Sequence, residues 1–170
     1  AEQATQVAYE HRQWSLVEQA AARWLSLNHT NEEARRYAAF AALQLYKLDD
    51  AAEHLGTLLE TAYINPPAGF LALLPQLAAE APEAAVTSVM QKLVAKYPDL
   101  TEAHYALAQA ALQSDNFALG LAHAQKAREL GQFWAPAGLL LARAQLMNGN
   151  AEQALETARS VLEHDNQDAH

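Results

Sequence analysis

Residues 101–134 read TEAHYALAQAALQSDNFALGLAHAQKARELGQFW, and residues 135–166 read APAGLLLARAQLMNGNAEQALETARSVLEHDN. The second stretch repeats the pattern of the first at a spacing of 34 residues. The matched pairs are Leu107 with Leu141, Ala108 with Ala142, Gly120 with the equally small Ala154, Leu121 with Leu155, and Ala124 with Ala158. A fixed period of this length is typical of helix–turn–helix units that stack side by side. The repeat therefore predicts an all-α protein, and it favours a binding scaffold over an enzyme.

The composition favours close contacts between helices. Of the 170 residues, 51% are hydrophobic and 39 are Ala, which is the best helix former and has a small side chain. The formal net charge is −9, because 11 Lys and Arg stand against 20 Asp and Glu. Nucleic acids and anionic membranes need clustered positive charge, so neither is expected as the main ligand.

Several other classes of protein are excluded by what the sequence lacks. There is no Cys, which excludes disulfides and thiolate chemistry, and no apolar run is long enough to predict a membrane span. The chain starts at Ala1 without Met and already within a helical pattern. We expect it to be a fragment or a processed form of a longer protein.

Read outward from the repeat, the chain divides into five units. Their approximate bounds are 1–31, 32–66, 67–100, 101–134 and 135–170, which gives about ten helices in one superhelical domain. Residues 14–27 form a complete helix in the first unit. Asn31 is placed to cap a helix that opens with Glu32 and Glu33, and Leu48 starts the next helix.

The middle of the chain departs from the period. Pro75 stands in mid-helix, where the missing N–H predicts a kink or an interruption. Tyr46 stands in a turn where Gly is usual, and the connection at residues 63–67 is one residue too long. We expect the superhelix to bend or widen here, and a partner to exploit the irregularity.

Small residues at fixed places in the period carry a family resemblance. With Thr101 as position 1, positions 8, 20 and 27 are Ala108, Gly120 and Ala127, and Pro98 falls at position 32 of the preceding unit. This pattern resembles the tetratricopeptide repeat, although Gln132 stands where Pro is usual. The resemblance implies a right-handed α-solenoid whose first helices line a concave groove, and it implies binding of a protein or peptide.

A second resemblance concerns short phrases near the start of the chain. They are ATQVAY at residues 4–9, AARWL at residues 21–25, FLAL at residues 70–73 and KLVAKYPD at residues 92–99. They are similar to the N-terminal repeats of bacterial periplasmic tetratricopeptide lipoproteins, some of which act as adaptors for a protease. This resemblance implies a periplasmic location, an outer-membrane lipid anchor on residues outside this sequence, and a protease partner. A cytoplasmic location is the alternative.

Repeat positions 2, 5, 9 and 12 face the groove in the tetratricopeptide family, and they supply the candidate partner-binding residues. The candidates are Tyr9, Arg36, Phe40, Leu43, Leu71, Tyr105, Gln109, Leu112, Leu139, Arg143 and Leu146, with Gln6 and Pro75 in the same register. Such a lining suits a peptide or amphipathic helix that buries apolar side chains and offers carboxylates to Arg36 or Arg143. The alternative is that the apolar candidates only complete packing between adjacent helices, and that the two Arg are solvated or locally paired.

No catalytic, cofactor-binding or metal-binding motif is present. The seven His are scattered, and none belongs to a short cluster with ligand spacing. His104 and His123 belong to the two helices of one unit and could meet in space, but without a third ligand we expect ordinary surface or capping roles for them. We therefore predict no enzyme activity, no cofactor and no metal.

Two other functions stay open. One is self-assembly, in which the ends of the solenoid, with residues such as Leu155, Val161 and Leu162, stack copies of the chain into a structural homo-oligomer. The other is regulation of a larger enzyme of which this segment is a part.

Overall fold

The computed structural model describes the backbone of residues 1–168 and the side chains of residues 1–163. Within this part the chain forms ten helices and no strand. They are α1 Glu2–Glu10, α2 Trp14–Leu27, α3 Glu32–Gln44, α4 Leu48–Thr61, α5 Pro66–Glu80, α6 Glu83–Val94, α7 Thr101–Gln113, α8 Phe117–Leu130, α9 Ala135–Met147 and α10 Ala151–Asp168. The prediction of an all-α solenoid is confirmed. The predicted end of the last repeat at residue 170 lies outside the described residues.

The chain divides into two compact units. The N-terminal unit is Ala1–Leu93, and the C-terminal unit begins at Val94. Consecutive helices pack on each other from α1 to α5 in the first unit and from α7 to α10 in the second, and the first helices of neighbouring repeats also touch, α1 with α3 and α7 with α9. The prediction of one continuous superhelical domain stays a prediction.

Local sequence signals place several helix starts correctly. The side chain of Asn31 accepts a hydrogen bond of 2.7 Å from the Ala34 N–H, so it caps α3 as predicted. α2 begins at Trp14 and α4 at Leu48, as the repeat register predicts. Asn65 caps α5 in the same way, at 3.0 Å from the Ala68 N–H.

Four of the five helix pairs share one turn geometry. The second residue after each first helix is in the left-handed region, with φ 52° at Arg12, 55° at Tyr46, 57° at Asp115 and 81° at Gly149. The next N–H then bonds back to the last turn of the helix, as Lys47 does to the Ala42 carbonyl at 2.8 Å. This is the Schellman motif, which normally favours Gly at the left-handed residue. Three of the four turns therefore adopt it with an unfavourable residue.

The third helix pair turns differently, and its proline does not break the helix. α5 runs continuously from Pro66 to Glu80, so the predicted interruption at Pro75 is wrong. Pro75 is exposed, whereas Leu73, Leu74 and Leu77 beside it are buried. The packing of these leucines holds the helix together across the one missing backbone hydrogen bond.

Small residues let the helices approach closely in the C-terminal unit. A Cβ added to Gly120 would lie 2.6 Å from Cδ2 of Leu112, and one added to Gly138 would lie 2.4 Å from Cγ2 of Val161. Ala108 and Ala124 are fully buried beside Leu112 in the same core cluster. The sequence prediction that small residues permit a tight crossing in this repeat agrees with this packing.

Candidate functional site

An open cleft lies between the first helices α7 and α9. We call it the C-terminal cleft; its volume is about 290 Å³, and its lining residues are Tyr105, Gln109, Pro136, Leu139, Leu140 and Arg143. Leu139 is 52% exposed, so its apolar side chain faces water in the free protein. Arg143 is exposed and makes no ion pair with any residue whose side chain is described. The cleft therefore offers an apolar surface next to the guanidinium of Arg143 and the side-chain amide of Gln109.

Several residues that line this cleft pack against neighbouring side chains. The ring of Tyr105 packs against Trp134, with 4.9 Å between centroids and 57° between planes. Trp134 belongs to the connection before α9, and Leu140 on α9 packs into the buried core cluster with Leu112. Because these side chains are fixed by packing, the cleft is formed before any ligand arrives.

A second cleft lies in the N-terminal unit and has different chemistry. We call it the N-terminal cleft; its volume is about 220 Å³, and its lining residues are Tyr9, Glu33, Arg36, Tyr37, Phe40 and Glu80. The Tyr9 ring stands edge-on to those of Tyr37 and Phe40, at 5.1 Å and 6.5 Å between centroids. Its lining thus combines three aromatic rings with two carboxylates and one guanidinium.

The position of Glu80 depends on contacts far apart in sequence. The Tyr9 hydroxyl donates a hydrogen bond to the Glu80 carboxylate. The Gln44 side-chain amide donates to the Glu80 backbone carbonyl at 2.5 Å, which ties the end of α5 to the end of α3. Burial, and then the bond to Glu80, raises the pKa of Tyr9, so its hydroxyl stays protonated and keeps donating.

Negative charge dominates around Tyr37. Its pKa is raised first by burial and then by the carboxylates of Glu33, Glu10, Glu2 and Glu80. Each of these carboxylates disfavours a further negative charge at the ring. Four carboxylates therefore act on the Tyr37 hydroxyl, while the lining of the N-terminal cleft contains one guanidinium, that of Arg36.

Seven of the eleven candidate residues line the two clefts. Tyr9, Arg36 and Phe40 line the N-terminal cleft, and Tyr105, Gln109, Leu139 and Arg143 line the C-terminal cleft. Contact of these residues with a ligand stays a prediction.

The other four candidates behave in two ways. Leu43 is 0% exposed and Leu112 is 2% exposed, so both are core residues with no surface for a ligand. Leu112 is enclosed because it packs against the α8 backbone at Gly120. Leu71 and Leu146 are 39% and 60% exposed but belong to neither cleft.

Sequence reasoning missed several lining residues. Glu33 and Pro136 stand at position 2 of their repeats, a groove position, so the register itself could have found them. Tyr37 and Glu80 fall outside the groove positions. Glu80 reaches Tyr9 across 71 residues of sequence, and no local pattern signals that contact.

The two histidines of the C-terminal unit do meet. Nδ1 of His104 lies 2.8 Å from Nδ1 of His123, and Nε2 of His104 lies 2.8 Å from the Pro98 carbonyl. A carbonyl only accepts, so His104 carries its proton on Nε2 and His123 donates from Nδ1. Burial, and then the neighbouring His104, lowers the pKa of His123. The pair is a structural contact inside the repeat.

Neither a metal site nor a membrane-spanning helix is found among the described residues. No group of three or more His, Cys, Asp or Glu is arranged to hold a metal ion among them. None of the helices, over the same residues, is both long and apolar enough to cross a membrane.

The helical repeats, the shared turns and the clefts on the first helices define the fold of tetratricopeptide-repeat proteins. No protein-family model and no curated protein matches the chain. Solved structures do match. One is a crystal structure of MamA protein, at 14% identity and a TM-score of 0.58, covering 98% of this chain and 91% of that one.

Two further structures have the same fold. Residues 41 to the end of MamA from Desulfovibrio magneticus RS-1 match at 16% identity and a TM-score of 0.52, covering 98% of this chain and 93% of that one. YrrB, described as a TPR protein with an unusual peptide-binding site, matches at 17% identity and a TM-score of 0.54, covering 94% of this chain and 82% of that one. At these identities the likeness shows the fold alone.

Proposed function

We propose that the protein is an interaction scaffold that binds an apolar peptide segment or an amphipathic helix of a partner protein in the C-terminal cleft. One observation carries the proposal: exposed Leu139 and exposed Arg143, which forms no ion pair with the side chains that the structure describes, lie side by side in an open cleft on the first helices. An apolar side chain of the partner covers Leu139, and a nearby carboxylate pairs with Arg143. The mechanism is binding, with specificity set by shape and by these polar contacts.

A display selection tests this proposal. Peptides are selected on the purified protein, and the affinity of the best peptide is measured by fluorescence anisotropy. Leu139→Asp places a charge on the apolar surface and should weaken binding about ten-fold or more. Ile64→Asp is the matched control, because Ile64 is 99% exposed and lies outside the cleft. Equal affinities in the three proteins would reject the C-terminal cleft.

Self-association is a second candidate function. α10 exposes Leu155 and Leu162, at 53% and 60%, two turns apart on one helix face. A second copy that packs on this face would bury both. Light scattering over a concentration range tests the idea, and the double variant Leu155→Ser with Leu162→Ser should remain monomeric. A wild-type protein that is monomeric throughout would reject it.

The location, the lipid anchor and the protease partner that the second resemblance implies stay predictions. A periplasmic location, a lipid anchor and a protease partner are tested together by fractionating source cells with an antibody to this chain. Co-purification with a periplasmic protease would support the adaptor interpretation, and recovery in the cytoplasmic fraction would reject it. Regulation of a larger enzyme is tested by the full-length gene sequence.

A further inference from the structure

The N-terminal cleft presents aromatic rings and carboxylates together on an open surface. Half-buried Tyr9 and Tyr37 supply the accessible rings, Phe40 lies behind them at 7% exposure, and Glu33 and Glu80 supply the carboxylates. The rings stand edge-on to one another, with 71° between the planes of Tyr9 and Tyr37 and 84° between those of Tyr9 and Phe40. Electron-rich ring faces attract cations, and carboxylates pair with them.

We propose that the N-terminal cleft binds a basic side chain, arginine or lysine, of a partner peptide. The proposal rests on the proposed function as an interaction scaffold and gives it a second, chemically distinct subsite. The cationic end of the ligand lies between Glu33 and Glu80, and its aliphatic stem packs on the half-buried rings of Tyr9 and Tyr37. An arginine gains more than a lysine, because its planar guanidinium stacks on a ring and pairs with a carboxylate at once.

The charge of the molecule supports a basic partner. The formal net charge of the chain is −9. The four carboxylates that act on Tyr37 concentrate part of this charge at the cleft. Opposite charges on the two partners speed their encounter and favour this register over others.

The charge of Arg12 acts on Tyr9 from outside the lining, and the cation within the lining is Arg36. Arg36 opposes a cationic ligand. Its Nε atom is buried and has no hydrogen-bond partner, so a ligand carboxylate cannot reach that donor. Only its terminal nitrogens remain for an anion, and Glu33 and Glu80 repel one. Removing the charge of Arg36 therefore separates the two ligand classes: it strengthens binding of a cation and weakens binding of an anion.

The test uses nitrogen-15 NMR of the whole chain titrated with four peptides. The probes are acetyl-Ala-Leu-X-Leu-Ala-amide with X as arginine, lysine, citrulline or glutamate. Citrulline keeps the shape of arginine and removes its charge. The arginine and lysine peptides should shift backbone amides of residues in the N-terminal cleft with saturation, and the citrulline and glutamate peptides should not.

Three variants test the roles of the charges. The double variant Glu33→Gln with Glu80→Gln should weaken the arginine peptide about five-fold or more, and Arg36→Gln should strengthen it about two-fold or more. Glu60→Gln is the matched control, because it removes the charge of an exposed glutamate on α4 outside the cleft. Thermal melting checks that each variant is folded.

Four outcomes of these measurements would contradict the proposal. Equal binding of the citrulline peptide, preference for the glutamate peptide, weaker arginine binding in Arg36→Gln, or no shift in the N-terminal cleft with any peptide would each overturn the basic-subsite proposal. Peptides selected for the C-terminal cleft are measured in parallel. Their retained sensitivity to Leu139→Asp would show that only the basic subsite is wrong, and not the scaffold function.

Discussion

The N-terminal and C-terminal clefts lie on the same repeat framework but have different chemistry. In the N-terminal unit, three aromatic rings cluster around that of Tyr9, and two carboxylates line the cleft. In the C-terminal unit, Gly and Ala bring helices together, and the cleft above them is apolar with Arg143. The same repeat backbone thus carries two clefts whose lining residues differ in charge and aromatic content.

The largest expected effect concerns the tight crossing in the C-terminal unit. Gly120→Val should destabilise the protein by about 3 kcal/mol, because the new side chain collides with Leu112, which is buried and cannot turn away. Urea unfolding followed by circular dichroism measures the loss. The control Ala122→Val lies on the exposed face of the same helix and should cost only about 0.5 kcal/mol. Similar losses in both variants would show that the crossing does not depend on Gly120.

The next effect concerns the histidine pair of the C-terminal unit. The lowered pKa of His123 means that the unfolded chain binds its proton more readily than the fold does. Stability is therefore complete above the ordinary His pKa of about 6.5 and is lost as the pH falls through and below it.

Thermal melting between about pH 7.5 and about pH 5.5 measures this loss. His123→Gln cannot titrate, so its melting temperature should fall less over this range than that of the wild type. His29→Gln, at an exposed position before α3, should behave like the wild type. A wild-type melting temperature independent of pH would contradict the assignment of the pair.

A smaller effect compares one hydroxyl from each cleft. Tyr9→Phe removes the hydrogen bond to Glu80 and should destabilise the N-terminal unit by about 1 kcal/mol. Tyr105→Phe should be nearly neutral, because its hydroxyl has no hydrogen-bond partner among the described residues. Urea unfolding of both variants gives the difference. Equal values would show that the bond to Glu80 does not hold the N-terminal cleft together.

The smallest effects concern the turns common to both units. Tyr46→Gly and Asp115→Gly should each stabilise the protein by about 0.5–1 kcal/mol, because Gly adopts the left-handed region without steric cost. Gly149→Ala is the reverse control and should destabilise by about 1 kcal/mol, since no atom lies within 4 Å of its added Cβ and only the backbone is affected. A destabilised Tyr46→Gly would mean that the Tyr46 side chain contributes to the fold.

The sequence predicted the fold well because its signals are local or periodic. Asn31 caps α3 through a bond over three residues, and the period of 34 residues places the small residues at the crossings. The interruption predicted at Pro75 is wrong. A proline removes one hydrogen bond within its own helix, which the sequence shows, whereas the burial of the leucines beside it depends on packing against other helices, which the sequence does not show.

The sites were harder to predict because exposure is set by neighbouring helices. Leu43, Leu112 and Leu146 share one repeat position, yet they are 0%, 2% and 60% exposed. Position in the repeat gives the direction of a side chain, and only the packed structure shows what covers it. The contact of Glu80 with Tyr9 has the same origin.

The repeated left-handed turns are also suitable positions for spectroscopic labels that measure distances between repeats. Arg12, Tyr46 and Asp115 have nearly the same backbone conformation, all three are exposed, and the chain contains no cysteine. A single cysteine introduced at any of them would give one unique thiol for a fluorophore or a spin label. Pairs of labels at these matched turns would then report, in solution, how the distance between repeats responds to a bound peptide.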